Sequence, residues 1–236
     1  MFLTTVSVFT LAPGHRRWAL AQMGTAPGAL RRAPGLRFCK LLGSGAAGGF
    51  GLWPNLDRYA LLAAWNSADA AGAFFGQHPW WAAYQSRCRE TWTAHLLPLR
   101  AHGRWDGQQP FGAPGPPAEA DAEGPVAVLT RASINWLKTP RFWRYVAPTS
   151  AALADAPGVA LALGLGELPV VRQATFSVWR SAAAMQQYAY HDPRHREAMR
   201  LTRREDWYSE ELFARFRVLR SEGTVDARDP LRQLVG

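Results

Sequence analysis

The sequence predicts an α+β fold: duplicated ferredoxin-like (βαββαβ) units forming a dimeric α/β-barrel-like pseudo-dimer within one chain. Three observations lead there. Residues 107–125 concentrate Pro, Gly and acidic side chains without helical or strand periodicity, which makes them a linker between residues 1–106 and 126–236. The two halves then echo each other, because Trp65-Asn-Ser-Ala answers Trp179-Arg-Ser-Ala and Pro79 answers Pro193 at the same spacing of 114 residues. Ala33-Pro-Gly-Leu answers Ala156-Pro-Gly-Val, Leu42-Gly-Ser-Gly answers Leu163-Gly-Leu-Gly, and Val6-Ser-Val-Phe-Thr answers Val126-Ala-Val-Leu-Thr. The third observation is the element order, strand-helix-strand-strand-helix-strand in each half. Two independent α+β domains are the alternative.

In the second half, Val126 to Arg131 alternates as a strand, and a helix fills Arg141 to Asp155, stopping before Pro157-Gly158. Val159 to Leu165 is apolar at almost every position and reads as a strand. Gln173 to Trp179 follows as its neighbour. A helix opens at Ser181, breaks at Asp192-Pro193 and resumes toward Asp206, and Leu212 to Leu219 closes the unit as a strand.

Composition narrows the function. With 48% hydrophobic and 19% charged residues the 236-residue chain buries a proper core, and disorder as its main state is excluded. No apolar stretch reaches the ~20 residues of a spanning helix, and the N-terminus lacks signal-peptide character, so a cytoplasmic protein is expected. The net charge of +9 comes from arginine, since Lys40 and Lys138 are the only lysines. Such an excess is in the main a solvated face, compatible with an anionic membrane leaflet, and no nucleic-acid partner is expected. Eleven tryptophans either stack a dense core or line a site for a flat or long apolar ligand.

Most catalytic motifs are absent. Cys39 and Cys88 lie apart without CxxC spacing and read as core thiols. Gly43-Ser-Gly-Ala-Ala-Gly48 matches GxGxxG, but Gly49-Phe-Gly-Leu-Trp-Pro54 behind it cannot form the helix that holds a pyrophosphate. No HExxH, GxSxG or Walker A pattern occurs. Among the histidines, His15 reads as a loop residue, His78 as a turn residue before Pro79, and His95 and His102 as flanking an edge strand.

The frame Tyr190-His-Asp-Pro-Arg-His-Arg-Glu-Ala-Met-Arg200 differs. Asp192 is a good N-cap and Pro193 a good first helical residue, which puts His195 in the first turn. There the positive helix end keeps an imidazole neutral and able to bind a metal. At 100° per residue His195, Met199 and Thr202 share a face, with Arg196, Arg200 and Arg203 flanking it. One neutral His for the iron and arginines for propionates suit haem; a helix-capping histidine is the alternative.

Arg141-Phe-Trp-Arg, Gln173-Ala-Thr-Phe-Ser-Val-Trp, His195-Arg-Glu-Ala-Met-Arg and Trp207-Tyr-Ser-Glu-Glu-Leu-Phe-Ala-Arg-Phe-Arg-Val-Leu resemble the spheroidene monooxygenase family of carotenoid biosynthesis in photosynthetic bacteria. Gln22-Met, Lys40-Leu-Leu-Gly-Ser-Gly, Trp105-Asp-Gly and Pro110-Phe extend the resemblance over nearly the whole chain apart from the linker. It implies a haem b-dependent oxygenase that uses O2 and an electron donor, for which ferredoxin is a candidate, to place a keto group at C2 of acyclic carotenoids. It makes His195 the axial iron ligand, and the helical spacing puts Arg196, Met199 and Arg200 beside the cofactor. His191 and the distal residues receive no role from it. Trp65, Phe176, Trp179, Trp207 and Tyr208 are expected to line an apolar slot, and the arginines to hold the enzyme peripherally on the inner face of the cytoplasmic membrane. The rival readings are a cofactor-free oxygenase on the same barrel and a non-enzymatic haem or carotenoid carrier.

Overall fold

The computed structural model describes residues 2–46, 53–112, 124–139, 143, 153–168, 171–191, 193–205 and 207–235. In chain order these form β1 (Leu3–Leu11), α1 (Arg16–Leu30), β2 (Leu36–Gly45), β3 (Pro54–Trp65), α2 (Ala68–Gln77), α3 (Pro79–Gln85) and β4 (Cys88–Gly103). The second half gives β5 (Val126–Ile134), β6 (Val159–Leu168), β7 (Arg172–Trp179), α4 (Ala182–His191), α5 (Pro193–Glu205), β8 (Tyr208–Gly223) and α6 (Arg232–Val235). The helix expected over Arg141 to Asp155 falls mainly on residues outside those described. So do Asp192 and residues 113–123 of the expected linker.

The strands close into one eight-stranded barrel in the order β1-β3-β2-β6-β7-β5-β8-β4, and every recorded pairing is antiparallel. Each strand therefore has one face toward the barrel interior and one toward an outer layer. All nine residues of β1 are buried, which is why its sequence is apolar or small on both faces. Val8, Leu62, Trp92, Leu129, Phe176 and Phe216 fill the interior. Phe9, Trp65, Phe74, Trp81 and Tyr84 pack outside β1 and β3 beneath α1 to α3, and Trp179, Leu153 and Met185 pack outside the second half.

Local signals set the helix ends. Ser67 caps α2 by accepting the Ala70 N–H at 3.1 Å. Pro79 opens α3, and His78 Nδ1 accepts the Trp80 N–H at 3.2 Å, so His78 is a capping residue. Pro193 likewise opens α5, and Trp65 and Trp179 end β3 and β7.

Two matches between the halves shift in the structure. Leu3 pairs with Trp65 and Val126 pairs with Trp179, so Val126 answers Leu3 rather than Val6. Gly43 and Gly166 stand opposite each other across the seam, which makes Leu165, not Leu163, the counterpart of Leu42. A strand buried on both faces carries no alternation to fix which face a residue takes. His95 and His102 are also not beside an edge: β4 pairs with both β1 and β8, and a closed barrel has none. Of the expected linker, Pro110 and Phe111 are buried, with the Phe111 ring edge-on to Phe216 at 5.0 Å.

Candidate functional site

The strand registers allow the two halves to be compared residue by residue, and the comparison isolates two places where they differ. The first lies inside one end of the barrel. Two similar turns, Trp105-Asp-Gly-Gln and Val225-Asp-Ala-Arg, are each closed by an antiparallel bridge and hold an aspartate at positive φ (49° and 54°). Glu210 accepts the N–H groups of Asp106 and Gly107 at 3.0 and 2.8 Å, and Glu90 accepts those of Asp226 and Ala227 at 3.0 and 2.7 Å. Arg58 meets Asp226, and Arg172 meets Asp106.

Beyond this shared frame the end of the barrel that holds Asp106 carries more charge, drawn from both halves. Arg131, almost wholly buried, pairs with Glu210 and reaches Glu167 at 3.5 Å and Asp106 at 3.6 Å, with its guanidinium 5.3 Å from the Trp105 ring centroid. Lys40 joins Asp106 and Glu167, the latter at 2.7 Å, and the Trp105 indole N–H donates to Glu167 at 3.1 Å. Burial pushes the Asp106 carboxyl up, but Lys40, Arg172 and Arg131 outweigh it and hold it below the ordinary carboxylate range. Burial likewise opposes Glu210, and the Gly107 and Asp106 amides with Arg131 bring it low. The cluster is internally matched, three cations against three carboxylates, and closes its end of the barrel.

The second difference lies on the outer face of the second-half sheet. In the first half this face is filled: Ser7 is 0% exposed and bonded to Thr93 at 2.9 Å, and the Phe9 ring packs on Trp80, Trp81 and Tyr84 of α3 at centroid distances of 6.3, 5.5 and 4.3 Å. By register, Thr130 stands for Ser7, Ala132 for Phe9, Gln173 for Tyr59, Thr175 for Leu61 and Gly164 for Leu41. Four large side chains thus become small or polar ones. Thr130, in the middle of β5 between β7 and β8, is exposed, and Thr175, Gln173 and Phe213 on the same face are half-buried. A Cβ on Gly166 would sit 3.3 Å from the Gln173 amide, so that side chain lies over the bare backbone of β6. Relative to the first half the described side chains of this face are recessed to glycine, alanine and hydroxyl groups, and Ala132 and Gly164 are themselves buried.

The residues expected at a cofactor map unevenly onto this recess. His195 is in the first turn of α5, as its sequence frame predicts. The side chains of His195, Met199 and His191 lie outside the described residues. Arg196 and Arg200 are exposed, and Arg200 holds Glu197 through two bonds of 2.7 and 2.6 Å. Among the described residues no group of three or more His, Cys, Asp and Glu is placed to hold a bare metal ion. The expected aromatic slot is not formed as a unit: Trp65, Phe176, Trp179 and Trp207 belong to four separate clusters, with Tyr208 packed against the last. Each satisfies a strand face or helix seat of its own, so tryptophan abundance reflects core packing here. Sequence reasoning missed Thr130, Ala132, Thr175 and the Arg131 cluster, although setting Phe9 against Ala132 in the correct register exposes the recess.

No protein-family model matches the chain. Curated relatives do. It is 42% identical over 221 residues to the spheroidene monooxygenase of Rubrivivax gelatinosus, covering 92% of this chain and 82% of the relative. To that of Rhodobacter capsulatus it is 38% identical over 218 residues, covering 92% and 90%. To that of Cereibacter sphaeroides it is 34% identical over 233 residues, covering 98% and 71%. Among solved structures, an aldoxime dehydratase in complex with butyraldoxime superposes with a TM-score of 0.60 at 11% identity, covering 99% of this chain and 85% of the other. A second aldoxime dehydratase gives 0.56 at 12% identity, covering 92% and 81%, and both likenesses speak to the fold alone. Identity at this level over nearly the full length leaves one conclusion: the chain belongs to the spheroidene monooxygenase family and is an enzyme of the monooxygenase class.

Proposed function

We propose that this enzyme is a haem-dependent carotenoid monooxygenase that introduces a keto group at C2 of acyclic carotenoids, spheroidene to spheroidenone in type. The observation that carries the cofactor reading is the recess. Counting from the paired prolines, position 195 in α5 answers Trp81 in α3, the ring that packs on Phe9, and Phe9 is answered by Ala132. Where the first half fits indole on phenyl, the second carries histidine and alanine at the matching positions of the sequence. Those residue types would suit a haem whose iron His195 would hold, with Met199 one turn further along the helix. Arg196 and Arg200, exposed on the same helix, are the groups for the propionates, with Arg200 exchanging its Glu197 partner for one of them. The glycine and alanine floor gives room, while Thr130 and Thr175 supply hydroxyls on the sheet side.

The same reading treats residues 1–106 and 126–236 as duplicated ferredoxin-like units joined by 107–125, a pseudo-dimer of which only the second unit binds cofactor. Both halves order their strands alike, β4-β1-β3-β2 and β8-β5-β7-β6, which supports a duplication.

Haem, when bound, supplies the activation of O2. Each round consumes one O2, two electrons and two protons, converts a C2–H bond to C2–OH and releases water. Two rounds give a geminal diol that loses water to the ketone. The electrons come from a small donor of the ferredoxin type. No described helix is long and apolar enough to cross a membrane, and the substrate lives in a bilayer, so the enzyme meets it peripherally at the inner face of the cytoplasmic membrane. Purified protein is expected to show a Soret band. His195→Ala is expected to lose it or to fall severalfold in haem occupancy, while His78→Ala, altered at a helix cap, keeps it. Undiminished haem with unchanged ligation in His195→Ala would overturn the assignment.

A further inference from the structure

We infer that the 3₁₀ turn Trp136–Lys138, together with the solvent side of α5, is the surface by which this protein docks on an anionic lipid leaflet. The inference rests on the carotenoid reading above and names the face that reading leaves open. Trp136 and Leu137 are 72% and 68% exposed, among the largest apolar exposures of the described residues. Adjacent large apolar residues held in water are unusual on a soluble surface unless a partner covers them.

The turn is braced. Asn135 Oδ1 accepts the Leu137 N–H at 3.3 Å, the Asn135 N–H donates to the Trp207 carbonyl at 2.8 Å, and the Lys138 N–H returns to the Asn135 carbonyl at 2.9 Å. Lys138 Nζ donates to the carbonyl of Glu205, the last residue of α5. The two apolar side chains are thus presented on a fixed support beside the C-terminal end of α5. At its other end Tyr190, on the last turn of α4, is 66% exposed.

Between these aromatic flanks runs a basic helix. α5 carries five arginines against two glutamates; with Arg196 and Arg200 given to the propionates in the reading above, Arg204, exposed at the end of α5 nearest the turn and 3.1 Å from Glu205, is the described arginine left to face lipid. Aromatic residues at the rim with arginines between them form the pattern of an element lying in the plane of a membrane interface, where indole and phenol rings sit at headgroup depth and arginines meet phosphate. The charge sign selects anionic headgroups. An acidic protein would also be drawn by the charge and could seat the Trp-Leu pair, and the ferredoxin arm of the test separates it from lipid.

The test is flotation of the full chain with phosphatidylcholine vesicles, with and without phosphatidylglycerol and without carotenoid, beside turnover of detergent-dispersed spheroidene. Wild type should partition at least tenfold more strongly onto the anionic vesicles, and added salt should weaken that binding. Trp136→Ala/Leu137→Ser should lose at least tenfold in partition, and Trp136→Phe should keep most of it. Trp53→Ala, altered at an exposed tryptophan on the β2–β3 hairpin at the opposite end of the barrel, should bind as wild type. Equal partition onto both vesicle types, or a double variant that floats like wild type, overturns the proposal. So does a double variant that keeps lipid binding while losing contact with an acidic ferredoxin. Detergent turnover reports separately on the activity: vesicle binding without turnover refutes the carotenoid reading, and turnover without vesicle binding refutes the docking face.

Discussion

Arg131 stands in β5 where Val8 stands in β1, so one half of the barrel directs a guanidinium into a space where the other directs an isopropyl group. A buried cation persists only where its partners are supplied, and they come from distant segments: Asp106 from the turn after β4, Glu167 from β6 and Glu210 from β8. The cluster therefore ties together the strands on either side of the seam. Its cost falls due when one member is removed.

Arg131→Val should destabilise the fold by about 2–3 kcal/mol, because three carboxylates then face two cations around a buried position, with the partners' partial exposure screening part of the imbalance. Adding Glu167→Gln, which keeps an acceptor for the Trp105 indole, restores the balance and should recover more than half of the loss. Urea unfolding of wild type, both single variants and the double variant measures the coupling, expected at roughly 1–3 kcal/mol. Additive losses would show that the two charges act independently.

His95 gives a pH dependence of opposite origin. It is buried on β4 beside the Phe75 ring, with Arg220 Nη2 and Glu222 Oε1 each 3.4 Å from a ring nitrogen. Burial first, and the Arg220 charge second, lower its pKa to about 4. The fold thus holds the neutral ring, while the unfolded chain protonates near the ordinary 6.5. Stability from this group is complete above that value and is lost as pH falls from 6.5 through 4, by roughly 3 kcal/mol. His95→Gln should flatten this part of the stability profile relative to wild type, leaving the acid limb below it, where Asp106 and Glu210 are protonated, unchanged.

Gly103 and Gly223 mark reciprocal points where the halves cross. Each has positive φ, 83° and 77°, and a Cβ there would sit 2.2 Å from the Glu211 carbonyl oxygen or 2.0 Å from that of Thr91. Ala at either should cost more than about 3 kcal/mol, combining backbone strain with displacement of a β4–β8 pairing. Gly24→Ala in α1, where a Cβ meets nothing within 4 Å, should stabilise by up to about 1 kcal/mol. Thermal melts of the three variants separate the two classes.

What could be read from the sequence follows from how local each signal is. Trp65 and Trp179, Pro79 and Pro193 mark strand ends and helix starts through their own backbone preferences, so those element boundaries were legible in the sequence. The facing of β1 against β5 was not, because Leu3 to Leu11 is buried on both sides and three residues of slip leave its pattern unchanged. The Arg131 cluster was hidden for another reason: its partners are brought together by barrel closure. The recess is an absence of side chains, and it becomes visible only when Ala132 is set against Phe9.

That absence gives the last prediction. If the second-half face is small because it accommodates a cofactor, Ala132→Phe/Thr175→Leu, which installs the residues of Phe9 and Leu61, should fill it from within. The double variant should fold, since its first half already packs these side chains on the same sheet geometry, and its melting temperature in the absence of haem should equal or exceed that of wild type. Its Soret absorbance on haem titration should fall at least tenfold. A melting temperature lowered by overpacking would mean that protein atoms already occupy the space. Full haem uptake would place the cofactor elsewhere. The reciprocal change, Phe9→Ala, should cost about 3–5 kcal/mol by opening a cavity under α3 and should confer no haem binding, because position 81 carries tryptophan where α5 carries His195.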